Sequence, residues 1–168
     1  MVVRFLCGVC IVLSAFLFGV EKRSRMAGRV KGLELIRNYF RSVKQYISHV
    51  GMSLDDIACE IDHGADTSQF SRILREKTRY SDFATSFSDT LGSMMDSLCL
   101  TEEDAAMLCS VAGRIGGMDT EGAVETLALA DEQLAFLIDS AKAKCETEGR
   151  LAVALWLSFG TVAALILI

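Results

Sequence analysis

The sequence predicts an all-α protein, a compact bundle of about six helices flanked by one transmembrane helix at each end. The chain contains no proline, and its glycines fall mainly between apolar segments, so little in it interrupts a helix. Apolar residues through the middle of the chain recur three and four positions apart, which is the period of one helix face. At the two ends, residues 2–20 and 151–168 form long apolar runs.

The C-terminal run, residues 151–168, carries no charge and no proline. At a rise of about 1.5 Å per residue, a helix of this length just crosses a hydrocarbon core of about 30 Å. A helix buried in a soluble domain usually keeps a polar stripe, whereas this run offers only Ser158, Thr161 and the indole of Trp156. The run therefore predicts a transmembrane helix rather than a core helix.

The N-terminal run, residues 2–20, is apolar apart from Arg4. It has the length of a signal peptide, but Phe18, Gly19 and Val20 are followed by a basic cluster instead of a small-residue cleavage site. We favour an uncleaved transmembrane helix, and cleavage after secretion is the alternative.

Positive charge sets the predicted orientation of these two helices. Residues 21–50 contain eight lysines and arginines against two acids, and Lys142, Lys144 and Arg150 precede the second run. By the positive-inside rule, residues 21–150 form a cytoplasmic domain in a two-pass protein of the cell membrane. The basic residues expected near anionic lipid headgroups are Lys22, Arg23, Arg25, Arg29 and Lys31.

Six amphipathic segments are expected within this domain. The first begins near Val30 and ends at Gly51, and the sixth begins at Asp119 or Thr120 and can run unbroken into the second apolar run. The four between them begin at Ser53, at Thr67, near Ser81 and at a capping box that spans residues 101–104. The fifth is expected to end at Gly116.

Residues 51–139 contain eighteen acids and five basic residues, a net charge of about −13. This charge excludes nucleic acid as a partner, because a phosphate-binding surface needs the opposite sign. An acidic face that includes Glu102, Glu103 and Asp104 is a candidate docking surface for a basic protein. The alternative is that the charge only keeps the domain soluble and away from the anionic membrane.

Motifs for catalysis or cofactor binding are absent from the sequence, which has no phosphate-binding loop, dinucleotide fingerprint, nucleophile elbow or zinc-protease motif. We therefore expect no enzyme, cofactor, metal site or small-molecule substrate. His49 and His63 lie near predicted helix ends, and Cys7 and Cys10 lie within the first apolar run. The alternative function is a membrane-anchored thiol redox sensor, or another membrane-bound enzyme, with its site at Cys59, Cys99, Cys109 or Cys145.

The end of the fifth predicted segment carries a family resemblance. An acidic helix start at residues 100–104 precedes the sequence Ala-Gly-Arg-Ile-Gly-Gly-Met-Asp at residues 112–119. On these residues the chain resembles the stage III sporulation protein AB family, which is similar in length and has an anchor at each end. The positions that match the family pattern are Gly113, Ile115, Gly116 and Asp119. For Gly113, Gly116 and Asp119 we favour helix termination as the role, and contact with a partner is the alternative.

The resemblance implies a helical domain similar to the cytoplasmic domain of the inner-membrane platform protein of type II secretion and type IV pilus machines. It also implies a non-enzymatic platform or assembly subunit of the channel complex that links mother cell and forespore during endospore formation. The chain would lie in the mother cell membrane that faces the forespore. Its partners would be membrane lipids and the other stage III A sporulation proteins, among them a cytoplasmic secretion-type ATPase.

Overall fold

The computed structural model describes residues 2–50, 53–60 and 69–167, with side chains described except at 2–8, 11, 50, 59–60, 150, 152–153 and 163–167. Within these residues every regular element is an α-helix, which confirms the all-α part of the predicted fold class. The helices are α1 (Val2–Val50), α2 (Leu54–Glu60), α3 (Gln69–Thr78), α4 (Phe83–Met94), α5 (Glu102–Ile115) and α6 (Thr120–Leu167).

The first and last helices are much longer than the four between them. Helix α1 joins the first apolar run to the first amphipathic segment, and α6 continues from Thr120 through the second apolar run, as predicted. Neither contains proline, and isolated glycines in a helix cost only about 1 kcal/mol each. The predicted end of the second segment near Gly64 and the predicted start of the third at Thr67 lie outside the described residues. In the part of the chain that the structure describes, no helix meets the length and apolarity needed to cross a bilayer.

The chain divides into two compact units. The paired-helix unit comprises Met1–Val30 and Asp139–Ile168, and the bundle unit comprises Lys31–Ile138. In the paired-helix unit the rings of Phe18 and Trp156 stack with their centroids 5.9 Å apart. Further along the same two helices, a Cβ added at Gly149 would lie 3.1 Å from Cγ of Arg23, so this glycine permits close approach. Since position 18 pairs with 156 and position 23 with 149, the two helices are antiparallel.

Phe87 of α4 lies at the centre of the core of the bundle unit. It is fully buried and makes ring contacts with Tyr39, Phe40, Phe70 and Phe83, at centroid distances from 5.4 to 6.4 Å. Such aromatic pairs are worth about 0.5–1.5 kcal/mol each beyond the area they bury. The apolar face predicted for the first amphipathic segment is confirmed as buried at Val30, Leu33, Ile36, Phe40, Val43 and Ile47.

The turn that follows α4 contains a left-handed residue that is not glycine. The N–H of Leu100 donates to the carbonyl of Met95 at 3.1 Å, and the N–H of Cys99 donates to that of Asp96 at 3.2 Å. These two bonds form the Schellman pattern of a helix C-terminus, in which the residue with positive φ is usually glycine. Here Cys99 holds that position at φ 52°. The same turn brings the carbonyl oxygen of Leu98 to within 2.4 Å of a Cβ built on Gly32, so only glycine fits there.

An ion-pair cluster joins α1 to α6 within the bundle unit. Arg37 and Arg41 lie one turn apart on α1, and each donates two hydrogen bonds to the carboxylate of Asp131, at 2.7 to 3.1 Å. These bonds, led by those from Arg37, lower the pKa of Asp131 from 3.8 to about 2 even though partial burial opposes the shift. The cluster stabilises the antiparallel packing of the two long helices.

Candidate docking site

The acidic start of α5 forms the capping box that the sequence predicted. Oγ1 of Thr101 accepts a hydrogen bond from the N–H of Asp104 at 3.2 Å, and the Asp104 carboxylate accepts one from the N–H of Thr101 at 3.1 Å. Asp104 is therefore buried, at 3% relative exposure, whereas Glu102 and Glu103 are exposed. The proposed acidic face is corrected to Glu102 and Glu103, because the cap removes the carboxylate of Asp104 from the surface.

The family-pattern residues lie where α5 gives way to α6. Gly116 is the C-cap of α5, and its N–H donates to the carbonyl of Ala112 at 3.3 Å, while Ile115 is buried in the core. Asp119 caps α6, because its Oδ1 accepts from the N–H of Gly122 at 3.3 Å. Gly113 instead lies inside α5, and a Cβ added there would meet no heavy atom within 4 Å. The structure thus gives Gly116 and Asp119 a role at helix ends and leaves Gly113 without one.

A cavity of about 420 Å³ opens beside this junction in the bundle unit. Gly113, Gly116 and Asp119 line it, together with two acids from other elements, Asp55 of α2 and Asp82 before α4. Oδ1 of Asp55 accepts from the N–H of Phe83 at 3.1 Å, and this bond holds the start of α2 against the start of α4. The junction is therefore one wall of a pocket.

Asp82 is the N-cap of α4, since its Oδ2 accepts from the N–H of Thr85 at 3.2 Å. The bonds from Thr85 lower the pKa of Asp82 below its ordinary value, so this exposed carboxylate stays ionised at neutral pH. The sequence placed the helix start near Ser81 but gave no indication that this cap faces a cavity. Asp55 and its partner at the start of α4 are 28 positions apart in the sequence, so no local sequence pattern predicts their contact.

The cysteines and histidines do not assemble into a site among the described residues. Cys10, Cys99, Cys109 and Cys145 are free thiols, and no group of three potential metal ligands lies together in the described part of the chain. The side chains of Cys7 and Cys59, and all of His63, lie outside the described residues. His49 is exposed, and its Nδ1 lies 3.1 Å from the carbonyl of Gln45, one turn earlier in α1.

The basic residues that the sequence predicts to lie near the membrane are found along one stretch of α1. Lys22, Arg23 and Arg25 are exposed and Arg29 is half-buried in the paired-helix unit, whereas Lys31 is exposed in the bundle unit. The guanidinium of Arg25 lies 3.8 Å from the carboxylate of Glu21, an exposed pair. Exposed pairs of this kind contribute about 0.3–0.5 kcal/mol, so this one leaves the basic character of the stretch in place.

Comparison with known protein families identifies the family of the chain. The model of the family described as Stage III sporulation protein AB matches residues 4–168, which is nearly the entire chain. The chain belongs to this family. No curated protein and no solved structure matches it. The resemblance read from residues 100–119 is thereby confirmed, and it extends over both apolar runs and the whole bundle unit.

Membership of the stage III sporulation protein AB family gives the chain a role in stage III of sporulation. In this family member, all four pattern residues line the cavity, together with two acids that the pattern does not include.

Proposed function

We propose that the chain is a non-enzymatic, two-pass membrane subunit that serves as a platform for assembly of the stage III A channel between mother cell and forespore. Its two apolar runs anchor it in the mother cell membrane, and the bundle unit lies in the cytoplasm. The observation that carries this proposal is the exposure of large apolar side chains in the paired-helix unit, together with the family's role in sporulation.

The exposed apolar side chains occur on both helices of the paired-helix unit. Leu17 and Leu155 are exposed to 65% and 67%, and Phe159 to 77%. Monomeric soluble proteins rarely expose large contiguous apolar patches, whereas a lipid-facing helix surface is apolar by necessity. The uncharged sequence of residues 151–168 and the basic residues that flank both runs support the same placement.

The bundle unit supplies the docking surface in this proposal. It carries most of the acidic excess of residues 51–139, and its long helices are joined by the Arg37–Asp131–Arg41 cluster and a packed aromatic core. A rigid acidic body is suited to hold basic partners, such as a secretion-type ATPase and other stage III A proteins. Such a role needs no catalytic residues.

Affinity capture of the stage III A proteins from sporulating cells tests this function. The wild-type chain is expected to copurify the ATPase from detergent-solubilised membranes. Glu102→Gln with Glu103→Gln is expected to weaken that capture, because it removes two exposed charges and leaves the Thr101–Asp104 capping box intact. The matched control is Glu132→Gln with Glu125→Gln on α6, which removes the same charge from exposed positions elsewhere.

Two outcomes would count against the proposal. Failure of the wild-type chain to capture any stage III A protein would contradict the platform function. Equal capture by wild type and the Glu102, Glu103 variant would show that these two residues are not part of the docking surface, and the platform function itself would still stand. Circular dichroism of each variant checks that the helix content is unchanged.

A further inference from the structure

The cavity beside the α5–α6 junction combines an apolar lining with carboxylates. Leu54, Phe83 and Met118 supply apolar surface, and Asp55, Asp82 and Asp119 supply charge. Its volume of about 420 Å³ lies within the range of about 300–1,000 Å³ found for ligand pockets. Met118 is 43% exposed, and methionine adapts its shape to a partner at little cost. The cavity thus offers an apolar contact surface with acids close to it.

The three carboxylates already satisfy the helix starts next to them. Asp55 accepts from Phe83 N–H, Asp82 from Thr85 N–H and Asp119 from Gly122 N–H, each at 3.1 to 3.3 Å. The positive ends of those helices are therefore occupied by side chains of the chain itself. All three acids are exposed, and none of them forms an ion pair with a cation in the described part of the chain. The charge left at the cavity is negative.

The glycine inside α5 has a consequence for the shape of the cavity. Helix interiors disfavour glycine by about 1 kcal/mol relative to alanine, and Gly113 has open space around its missing Cβ. Packing therefore does not explain why this position lacks a side chain. Because Gly113 lines the cavity, any larger residue there would narrow it.

We propose that this cavity is a docking socket for a protein segment that presents an arginine or lysine beside an apolar side chain. The proposal rests on the platform function and names the chemistry of the partner that the platform holds. The apolar side chain enters the cavity beside Phe83 and Met118, and the cation pairs with the carboxylates of Asp55, Asp82 and Asp119. Charge complementarity selects this occupant, because three uncompensated carboxylates repel an acidic segment and leave a purely apolar one without a polar match.

A defined peptide tests the socket directly. The probe is a short fluorescent helical peptide with arginine and leucine on one face, titrated onto the full chain in phosphatidylcholine nanodiscs, whose lipids carry no net charge. Binding is followed by fluorescence anisotropy, and empty nanodiscs give the background. The peptide is expected to bind, and replacing either its arginines by glutamine or its leucines by serine is expected to weaken binding about tenfold or more, which corresponds to about 1.4 kcal/mol.

Two variants of the chain probe charge and shape separately. Asp55→Asn, Asp82→Asn and Asp119→Asn together remove three charges and keep three cap acceptors, because asparagine caps helices about as well as aspartate. Gly113→Phe narrows the cavity from a position with no neighbour within 4 Å of its Cβ. Each variant is expected to weaken peptide binding about tenfold.

Each variant has a matched control. Glu76→Gln, Asp89→Asn and Asp96→Asn remove three exposed charges that do not line the cavity. Gly92→Phe adds the same ring to another helical glycine with open space around it, also away from the cavity. Both controls are expected to bind the peptide within about twofold of wild type, a difference below about 0.5 kcal/mol.

The proposal is overturned if peptide binding is unaffected by the triple Asp→Asn variant of the cavity or by Gly113→Phe. It is also overturned if the control variant at Glu76, Asp89 and Asp96 loses as much affinity as the variant at Asp55, Asp82 and Asp119. It is also overturned if a free diamine binds with the same affinity and the same dependence on Asp55, Asp82 and Asp119, since the site would then recognise a small cation. Failure of the platform function is a separate outcome. A chain that binds the peptide through the cavity but captures no stage III A protein in cells would contradict the platform and leave the socket standing.

Discussion

The two units differ in where they place the apolar side chains of the same two helices. In the bundle unit, α1 buries Leu33, Ile36 and Phe40 to 1% exposure or less. In the paired-helix unit, Leu13 and Leu17 of the same helix are more than half exposed. Burial of apolar side chains is the rule for a domain in water, and their exposure in the paired-helix unit is what the proposed contact with lipid requires. In the proposed function, one continuous helix therefore has a segment in water and a segment in lipid.

Four residues with matched exposure test whether the two units lie in different solvents. Leu13 and Phe159 of the paired-helix unit are 56% and 77% exposed, and Leu129 and Phe136 of the bundle unit are 53% and 76% exposed. A lysine near the centre of a membrane span costs about 2.5–3.5 kcal/mol, whereas on a surface in water it changes stability by about 0.5 kcal/mol or less. Leu13→Lys with Phe159→Lys is expected to shift the chain out of the membrane pellet after alkaline extraction. Leu129→Lys with Phe136→Lys is expected to leave it there, and equal behaviour of the two pairs would contradict the comparison.

A substitution where α1 closely approaches the turn after α4 is expected to have the next largest effect on stability. Gly32→Ala would place a Cβ 2.4 Å from the carbonyl oxygen of Leu98, so the backbone must move. Overpacking of this kind costs about 1–3 kcal/mol, which exceeds the gain of about 1 kcal/mol from removing a helical glycine. Thermal unfolding of the detergent-solubilised chain, followed by circular dichroism, should show a lower midpoint. Gly92→Ala, with nothing within 4 Å of its Cβ, should raise the midpoint, and a rise in both variants would show that the packing at Gly32 is looser than described.

The ion-pair cluster predicts that the free energy of unfolding of the bundle unit contains a contribution that depends on pH. Because the pKa of Asp131 is about 2 in the folded chain and 3.8 ordinarily, its stabilising effect is full above about pH 4 and disappears as the pH falls towards 2. Asp131→Asn should therefore lower the free energy of unfolding by about 1–2 kcal/mol at neutral pH, a value reduced by solvent screening at the half-exposed Arg41. Denaturant titrations at neutral and acid pH measure this difference. It should shrink at low pH, and a constant difference would assign the effect to packing instead of charge.

A substitution at Cys99, in the left-handed turn, is expected to have the smallest effect on stability. Cys99→Gly should stabilise the bundle unit by about 1 kcal/mol or less, because a positive φ of 52° is unfavourable for a residue with a Cβ. Cys109→Gly inside α5 should have the opposite sign, since glycine weakens a helix interior. Denaturant unfolding of the two variants provides the measurement. Destabilisation by Cys99→Gly would mean that a contact of the thiol contributes more to stability than the positive φ of the backbone costs.

The parts of the structure that the sequence predicted are those governed by local rules. The apolar face of α1 from Val30 to Ile47 and the capping box at Thr101 follow from spacing and residue type within a few positions. The same local rule misplaced Asp104, because a short sequence pattern does not show whether a cap faces water or the core. Gly113 was expected to help end α5 and instead lies inside it.

Contacts between residues far apart in the chain could not be predicted in this way. Arg37 meets Asp131 across 94 positions, and Asp55 meets the start of α4 across 28. Each depends on how whole helices pack, which no window of sequence encodes. The cavity arises from such packing, so the family pattern supplied four of its residues without revealing that they share a pocket with Asp55 and Asp82.

Accessibility of the bundle unit to protease reports on which side of the membrane it lies. In the proposed function, residues 31–138 lie in the cytoplasm, held there by the apolar runs at both ends. Protease added to intact protoplasts of non-sporulating cells that produce the chain should leave this unit undigested, and the same protease added to inverted membrane vesicles should digest it while the chain remains in the membrane fraction. Digestion in intact protoplasts, or release of the uncleaved chain into the aqueous fraction, would contradict the account.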